Sequence, residues 1–287
     1  MKWKLCILFS ILLLTGCSYV EVDDDTSRNS AEKSDAKEEP NKLEQFVKDL
    51  NIFDWSDRKT LDAEEVYYLA LGDSLTRGVG DEADNYGFTG LLKEEMEKSP
   101  NVLSVELDNR GKNGRRSDQL LGLLKDGHYD EQLKKASVIT ITLGGNDVMK
   151  VVKNDLFNLK PKMFEKALPG FVERYTEIID IIRAQTDAPI VLVGFYNPFS
   201  IITDEITPFE TIIHDWNNEV KAIAEQTDNA CFVSVEDLFL SNEDMVYHTD
   251  FFHPNAAGYK RMATRILETI PTCNLEELTS LFPQDEG

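Results

Sequence analysis

The chain has 287 residues, of which 41% are hydrophobic; this is enough for one large core, and the length alone also permits two domains. Acidic residues outnumber basic ones by 52 to 30, and the formal net charge at pH 7 is −22. Because an acidic surface repels phosphate backbones, we exclude nucleic acid as a partner and interpret the charge as a source of solubility.

The first 17 residues have the pattern of a secretory signal. Lys2 and Lys4 form a short basic region, and residues 5–14 are almost all apolar. This run is shorter than the roughly 20 residues that a membrane-spanning helix needs, so we predict a cleaved signal. Residues 14–17, Leu-Thr-Gly-Cys, resemble the lipobox of bacterial lipoproteins. The resemblance implies a lipid on Cys17 and a membrane anchor outside the cytoplasm; the alternative is an ordinary signal peptide with a chance cysteine.

Residues 18–60 are predicted to form an acidic flexible stalk and the lead-in to the folded domain. The segment up to about residue 42 is polar, charged and nearly free of large apolar side chains. Such a composition cannot bury enough apolar surface to become ordered. Leu43 to Trp55 contains more apolar residues and is expected to form a short helix against the domain, which we place at residues 61–287.

Short apolar runs and amphipathic segments alternate through this domain. Five runs predict strands, at Val66–Leu71, Val102–Leu107, Ser137–Leu143, Ile190–Phe195 and Cys231–Val235. Four segments with apolar residues at helical spacing predict helices, at Phe88–Lys98, Phe157–Ala184, Thr211–Gln226 and Asn255–Ile270. Near-continuous apolar strands are typical of a parallel sheet that is buried on both faces. The alternation therefore predicts an α/β fold, a three-layer α/β/α sandwich around a five-stranded parallel sheet.

Two cysteines lie in this domain, Cys231 and Cys273. Two are too few for the disulfide framework of a small secreted domain. Cys231 opens the fifth strand and is expected to be a buried small hydrophobe. The sequence leaves open whether it pairs with Cys273.

Four polar blocks stand where chemistry is expected, because ligands of parallel sheets bind beyond the carboxyl ends of the strands. Three blocks follow predicted strands and one precedes the last helix: Gly72-Asp73-Ser74-Leu75, Asn109 to Gly114, Gly144-Gly145-Asn146-Asp147, and Asp250 to His253. Each block alone has an ordinary explanation, such as a helix N-cap serine or a turn. Each block is therefore weak evidence when it is taken by itself.

The four blocks resemble the four motif blocks of the SGNH hydrolase superfamily, the GDSL-type lipases and acylhydrolases, and most closely its lipid-anchored bacterial members. The resemblance covers Val66 to Ile270 and implies a flavodoxin-like SGNH hydrolase fold, with no cofactor and no metal. It also implies the site residues: a catalytic triad of Ser74, His253 and Asp250, and an oxyanion hole from the backbone N–H groups of Ser74 and Gly114 and the side chain of Asn146.

The chemistry of these residue types agrees with that assignment. Serine is a weak nucleophile until a neighbouring base takes its proton, and histidine has a suitable pKa near neutral pH. A carboxylate on the other ring nitrogen orients the imidazole and stabilises its charged form. Three other histidines are weaker candidates: His128 lies in a polar loop, His214 lies on an amphipathic helix, and His248 has no matching acid before it.

We therefore expect a serine esterase that cleaves acyl or acetyl esters, and we expect it to be a monomer. The substrate, whether a small ester, a lipid or a wall glycan, is left open. Two segments are hypothesised to form the walls of an acyl pocket, Val148 to Lys166 and Pro198 to Pro208, the latter with Phe199, Ile201 and Ile202; the alternative is that both segments only pack on the domain.

The sequence is less consistent with three other classes of protein. An α/β-hydrolase is disfavoured because the serine lacks the Gly-x-Ser-x-Gly elbow. A dinuclear metallophosphoesterase needs more histidine and carboxylate ligands than these blocks supply. A non-catalytic surface binding lipoprotein on the same fold is the third alternative, although no expected catalytic position is missing.

Overall fold

The computed structural model describes residues 59–60, 62–155, 158–199, 208–240 and 246–283. The predicted signal at residues 1–17 with Cys17, nearly all of the stalk at 18–60 with its helix, and the pocket residues Ile201 and Ile202 lie outside these ranges. Within them, no helix combines the length and the apolar character that crossing a bilayer requires.

Five parallel strands form one sheet, as predicted. They are β1 (Glu64–Gly72), β2 (Val102–Gly111), β3 (Val138–Thr142), β4 (Ile190–Val193) and β5 (Ala230–Val233). Their spatial order is β2-β1-β3-β4-β5, which is the flavodoxin-like order. β1 pairs along its length with β2 on one side and with β3 on the other, so the carboxyl end of β1 lies inside the sheet.

Nine α-helices are found in the described ranges. They are α1 (Ser74–Arg77), α2 (Phe88–Lys98), α3 (Ser117–Lys125), α4 (Asp130–Lys135), α5 (Gly145–Asn154), α6 (Pro161–Arg183), α7 (Pro208–Glu225), α8 (Ala256–Thr269) and α9 (Glu276–Ser280). The predicted helix from Phe157 begins instead at Pro161, because residues 158–160 are not helical and proline is favoured in the first helical turn. The sequence patterns did not predict α3, α4, α5 or α9, which have at most ten residues each.

Both faces of the sheet are covered, which confirms the three-layer architecture. Alternate residues of β1 enter two separate cores: Leu69 and Leu71 lie in one, and Tyr68 and Ala70 lie in the other. Helices α3, α6 and α7 close the first core, and helices α2 and α8 close the second. The strand ends of this rigid sheet carry the candidate site.

A disulfide joins Cys231 of β5 to Cys273, which ends a short 3₁₀ turn after α8. The two Cα atoms are 5.7 Å apart and the bridged residues are separated by 42 positions. Closing a loop of this length restricts the unfolded chain and contributes about 4 kcal/mol in the chain-entropy estimate. The structure thus answers a pairing question that the sequence left open.

Candidate active site

The nucleophile candidate Ser74 lies at the sharp turn from β1 into α1. Gly72 ends the strand with a φ of 149°, and a Cβ atom there would lie 2.5 Å from the Thr142 carbonyl oxygen of β3. Only glycine fits this close approach. Asp73 is the helix N-cap, and its Oδ1 accepts a 3.0 Å hydrogen bond from the Leu75 N–H. Because Asp73 performs the capping, the Ser74 hydroxyl is available for a different partner.

That partner is His253, in the loop before α8. The distance from His253 Nε2 to Ser74 Oγ is 2.9 Å, and the distance from His253 Nδ1 to Asp250 Oδ2 is 2.6 Å. Asp250 Oδ1 also accepts hydrogen bonds from the backbone N–H groups of Phe252 and His253, at 3.0 and 2.9 Å. The structure therefore brings together three side chains that lie up to 179 residues apart in the chain.

The Asp250 carboxylate is held in its charged form. Partial burial raises its pKa, but hydrogen bonds from the His253 ring and from the two backbone N–H groups outweigh burial and lower the pKa to about 2. An ionised carboxylate on Nδ1 orients the ring so that Nε2 faces the serine, and it stabilises the imidazolium that forms when His253 takes a proton.

The other histidines lie in different surroundings. His248 Nδ1 is 3.9 Å from Asp250 Oδ1, which is too far for a hydrogen bond. His214 is largely exposed and lies 3.4 Å from Glu236. His128 packs edge-on against Tyr129.

The two remaining oxyanion candidates, Asn146 and Gly114, lie in different depressions of the surface. Asn146 lies in the first turn of α5 and lines the same cavity as Ser74. Gly114, with φ 72°, lies between β2 and α3 and lines a neighbouring surface depression. Its loop starts beside the serine turn, because the Lys112 N–H donates to the Gly72 carbonyl oxygen at 3.1 Å. Asn146 thus shares the serine cavity, whereas Gly114 lines the neighbouring depression and is linked to the serine turn through the Lys112 contact of its loop.

The cavity beside Ser74 is mainly apolar. Its apolar lining comes from Leu75, Val148, Met149, Phe195, Tyr196, Pro198, Phe209, Ile213 and Phe252. Both hypothesised wall segments contribute, the first through Val148 and Met149 and the second through Pro198. Phe199 packs edge-on against Phe209, with ring centroids 5.0 Å apart.

A buried polar cluster lies directly beneath the nucleophile. The Thr142 hydroxyl donates to Asp73 Oδ1 at 2.8 Å and lies 2.7 Å from the Thr76 hydroxyl. Burial raises the pKa of Asp73 to about 6, against the lowering effects of the hydrogen bonds from the Leu75 N–H and the Thr142 hydroxyl and of the nearby His253. The sequence contained Asp73 in the first block without indicating that its carboxyl group would be buried.

A second buried cluster lies beneath the oxyanion candidates and was not predicted. Asp147 of α5 accepts hydrogen bonds from the N–H and the hydroxyl of Ser117, at 2.9 and 2.6 Å, and from Arg174 Nη2 of α6 at 3.2 Å. Asp147 stands in the third block, so its position was visible there, but no sequence pattern marked Ser117 or Arg174. The part of the chain that the structure describes contains no group of three or more His, Cys, Asp or Glu arranged to hold a metal ion.

Two solved structures have folds similar to this one. The lipase Lip_vut3 from a goat rumen metagenome superposes with a TM-score of 0.64 at 28% identity, over 74% of this chain and 99% of that one. Axe2, an acetylxylan esterase from Geobacillus stearothermophilus, superposes with a TM-score of 0.53 over 74% of this chain and 95% of its own. At 18% identity, the second likeness concerns the fold alone.

Sequence relatives extend the comparison. The protein YpmR of Bacillus subtilis is 34% identical over 215 residues, which are 74% of this chain and 84% of YpmR. The spore germination lipase LipC of Bacillus licheniformis is 30% identical over 207 residues, 69% of this chain and 93% of LipC. Residues 70–261 match the GDSL-like lipase/acylhydrolase family. This match spans two thirds of the chain and includes all four polar blocks, so the protein belongs to the GDSL-like lipase/acylhydrolase family and is an ester hydrolase.

Proposed function

We propose that the protein cleaves carboxylic esters with Ser74 as nucleophile, His253 as general base and Asp250 as the acid that orients it. The observation that carries this proposal is the unbroken line of hydrogen bonds from Asp250 through His253 to the Ser74 hydroxyl, at 2.6 and 2.9 Å. Hydrogen-bond contact between nucleophile and base, with a third group that orients the base, is the arrangement that nucleophilic catalysis requires.

The reaction then has two halves. Ser74 Oγ attacks the ester carbonyl carbon while its proton passes to His253 Nε2, and the carbonyl oxygen becomes an oxyanion that the N–H groups of Ser74 and Gly114 and the Asn146 amide stabilise. The C–O bond to the alcohol breaks, and the alcohol leaves with the proton from His253. Water next gives a proton to His253 and attacks the acyl-enzyme, which releases the carboxylic acid and restores the Ser74 hydroxyl.

The substrate that this site favours is an ester with an apolar acyl chain of several carbons. The cavity walls at Met149, Phe195, Phe209 and Ile213 offer carbon surface to such a chain. Each methylene that they bury gains about 0.8 kcal/mol, a contribution that an acetyl group cannot make. The relative LipC is a spore germination lipase, whereas Axe2 is an acetylxylan esterase.

A panel of p-nitrophenyl esters from acetyl to long acyl chains tests both parts of the proposal. We expect kcat/KM to rise from acetyl to medium acyl chains, and Ser74→Ala and His253→Ala each to lower kcat by up to about a million-fold. A fluorophosphonate probe should label the wild type at Ser74 and leave Ser74→Ala unlabelled. Wild-type turnover by Ser74→Ala contradicts the mechanism, whereas a maximum at acetyl esters contradicts only the substrate assignment.

The proposed location is the outer face of the bacterial cytoplasmic membrane, with Cys17 as the lipid anchor. The lipobox resemblance at residues 14–17 supports it, and so does the Cys231–Cys273 disulfide, because such bonds persist in oxidising compartments. Expressed in a bacterium with its own signal, the full chain should fractionate with membranes, and Cys17→Ser should lose this association. Equal membrane association of both proteins contradicts the anchor at Cys17.

A further inference from the structure

We propose that Arg174, Ser117 and Asp147 form a positioning ring that holds the two loops carrying the oxyanion donors at a fixed separation. The ring contributes to the rate of acyl transfer without contact with the substrate. This inference rests on the proposed function, because it assigns a purpose to the placement of Gly114 and Asn146.

The ring is closed by hydrogen bonds of good length. The Ser117 hydroxyl donates to Asp147 Oδ1 at 2.6 Å and accepts from Arg174 Nε at 2.7 Å, while Arg174 Nη2 donates to the same Asp147 oxygen at 3.2 Å. The second carboxylate oxygen accepts from the Ser117 backbone N–H at 2.9 Å. Both Asp147 oxygens are therefore engaged, and both guanidinium contacts come from one planar group, which limits how far any of the three residues can rotate.

The residues of the ring lie next to the oxyanion donors in the sequence, so their positions constrain those of the donors. Asp147 follows Asn146 directly, and Ser117 begins α3 immediately after the loop that contains Gly114. Arg174 stands on α6 between Phe171 and Tyr175, which are both fully buried in the core. The ring thus joins the loop before α3 to the first turn of α5. It also joins both of them to α6, whose neighbouring side chains are buried in the core.

The ring is also costly enough to need an explanation. The Asp147 side chain is only 4% exposed, and a buried carboxylate is unfavourable unless a charge and hydrogen bonds compensate it. Docking of α3 on α6 has a second polar link, because Lys125 and Glu177 join the same two helices by a 2.7 Å ion pair at the surface. Arg174 differs from this ion pair because it fixes the first turns of α3 and α5, which lie next to the oxyanion donors. A displacement of a donor by about 1 Å can lower the rate about 100-fold.

The decisive experiment is a double-mutant cycle between Arg174→Gln and Asn146→Ala, with ester hydrolysis and thermal unfolding measured for each protein. We expect Arg174→Gln to lower kcat about 10- to 100-fold and to change KM less than about threefold, because an oxyanion donor acts in the transition state. In the Asn146→Ala background the same change should lower kcat by a clearly smaller factor than in the wild type, because one of the two donors that the ring positions is already absent.

Two further variants complete the test. Glu177→Gln removes the surface ion pair between the same helices and should keep kcat within about twofold of the wild type. Ser117→Ala opens the ring but leaves the contact between Arg174 and Asp147, so it should lower kcat by a smaller factor than Arg174→Gln and keep the protein folded if the Arg174 variant does not fold.

Each remaining outcome overturns the inference. Equal fold losses from Arg174→Gln with and without Asn146 indicate a role in general stability, and so does an equal loss of kcat in Glu177→Gln. Failure of the proposed function has a different signature: Ser74→Ala or Asn146→Ala alone would then keep wild-type kcat, and the ring would have no oxyanion donor to position.

Discussion

Two carboxyl groups adjoin the nucleophile, and they lie in opposite environments. Asp250, in the loop before α8, is 40% exposed and accepts hydrogen bonds from the His253 ring and two backbone N–H groups. Asp73, at the end of β1, is 3% exposed and accepts from one backbone N–H and the Thr142 hydroxyl. The pKa of Asp250 is lowered to about 2, whereas burial raises the pKa of Asp73 to about 6.

The difference shows how position divides the work between two chemically identical groups. Asp250 keeps its charge because donors converge on a carboxylate that water still reaches, so it can stabilise an imidazolium in every turnover. Asp73 receives only neutral donors in a dry site, and these offset part of the cost of burying a charge. It caps the turn that presents Ser74, a task that its protonated form can also perform through the remaining acceptor oxygen.

The largest effect is expected from Asp250→Asn, which should lower kcat. The amide keeps the size of the side chain but cannot stabilise a charged imidazolium and favours the wrong ring tautomer, so kcat should fall by about 10⁴-fold by analogy with other triads. Unfolding by heat should change little, because the side chain is half exposed. Initial rates and melting curves for the two proteins check this, and a rate loss below about tenfold would place the orienting acid elsewhere.

The second largest effect is expected from Asp73→Asn, which should change how the free energy of unfolding depends on pH. The pKa of Asp73 is raised from 3.8 to about 6 on folding, so the folded state binds the extra proton. Asp73 therefore contributes up to about 3 kcal/mol to the free energy of unfolding at pH values below its unfolded pKa. This contribution is lost as the pH rises through about 6. Asp73→Asn should remove that slope between about pH 4 and pH 7 in urea unfolding.

Asp250→Asn is the matched control for that measurement. In the wild type, the lowered pKa of Asp250 stabilises the folded state at pH values above the unfolded pKa. This stabilisation is lost only as the pH falls toward about 2, which lies below the pH range of that measurement. The control should therefore keep the wild-type slope between about pH 4 and pH 7. A slope that survives in Asp73→Asn would assign the titration to another group.

The smallest effect is expected from Tyr175→Phe, on α6. The Tyr175 hydroxyl is buried and has no hydrogen-bond partner among the described residues, and burial, followed by the charges of Asp73 and Asp147, holds its pKa well above the usual range. Phenylalanine keeps the ring packing and removes an unsatisfied polar atom, so the free energy of unfolding should stay constant or rise by less than about 1 kcal/mol. A loss above that value in urea unfolding would show that the hydroxyl has a partner after all.

Prediction from sequence succeeded where local pattern and strand geometry carry the information. The five apolar runs marked the five strands, and the parallel sheet, the fold class and the hydrolase family are confirmed. The predicted roles of Ser74, His253 and Asp250 stay a prediction, although the structure places the three in hydrogen-bond contact. Short helices such as α4 escaped prediction because six residues hold too little periodicity to distinguish a helix from a polar loop.

By itself, the sequence determined the alternation of strands and helices and the residue types that stand at the strand ends, because periodicity and turn chemistry are local properties of the chain. Only the tertiary structure decided that Asp73 is buried while Asp250 stays ionised, that Arg174 reaches Asp147 across 27 residues, and that Cys231 meets Cys273. These outcomes depend on which side chains the packed helices bring together and on how much water reaches them. Neither the contacts nor the burial of a residue can be read from its neighbours in the sequence.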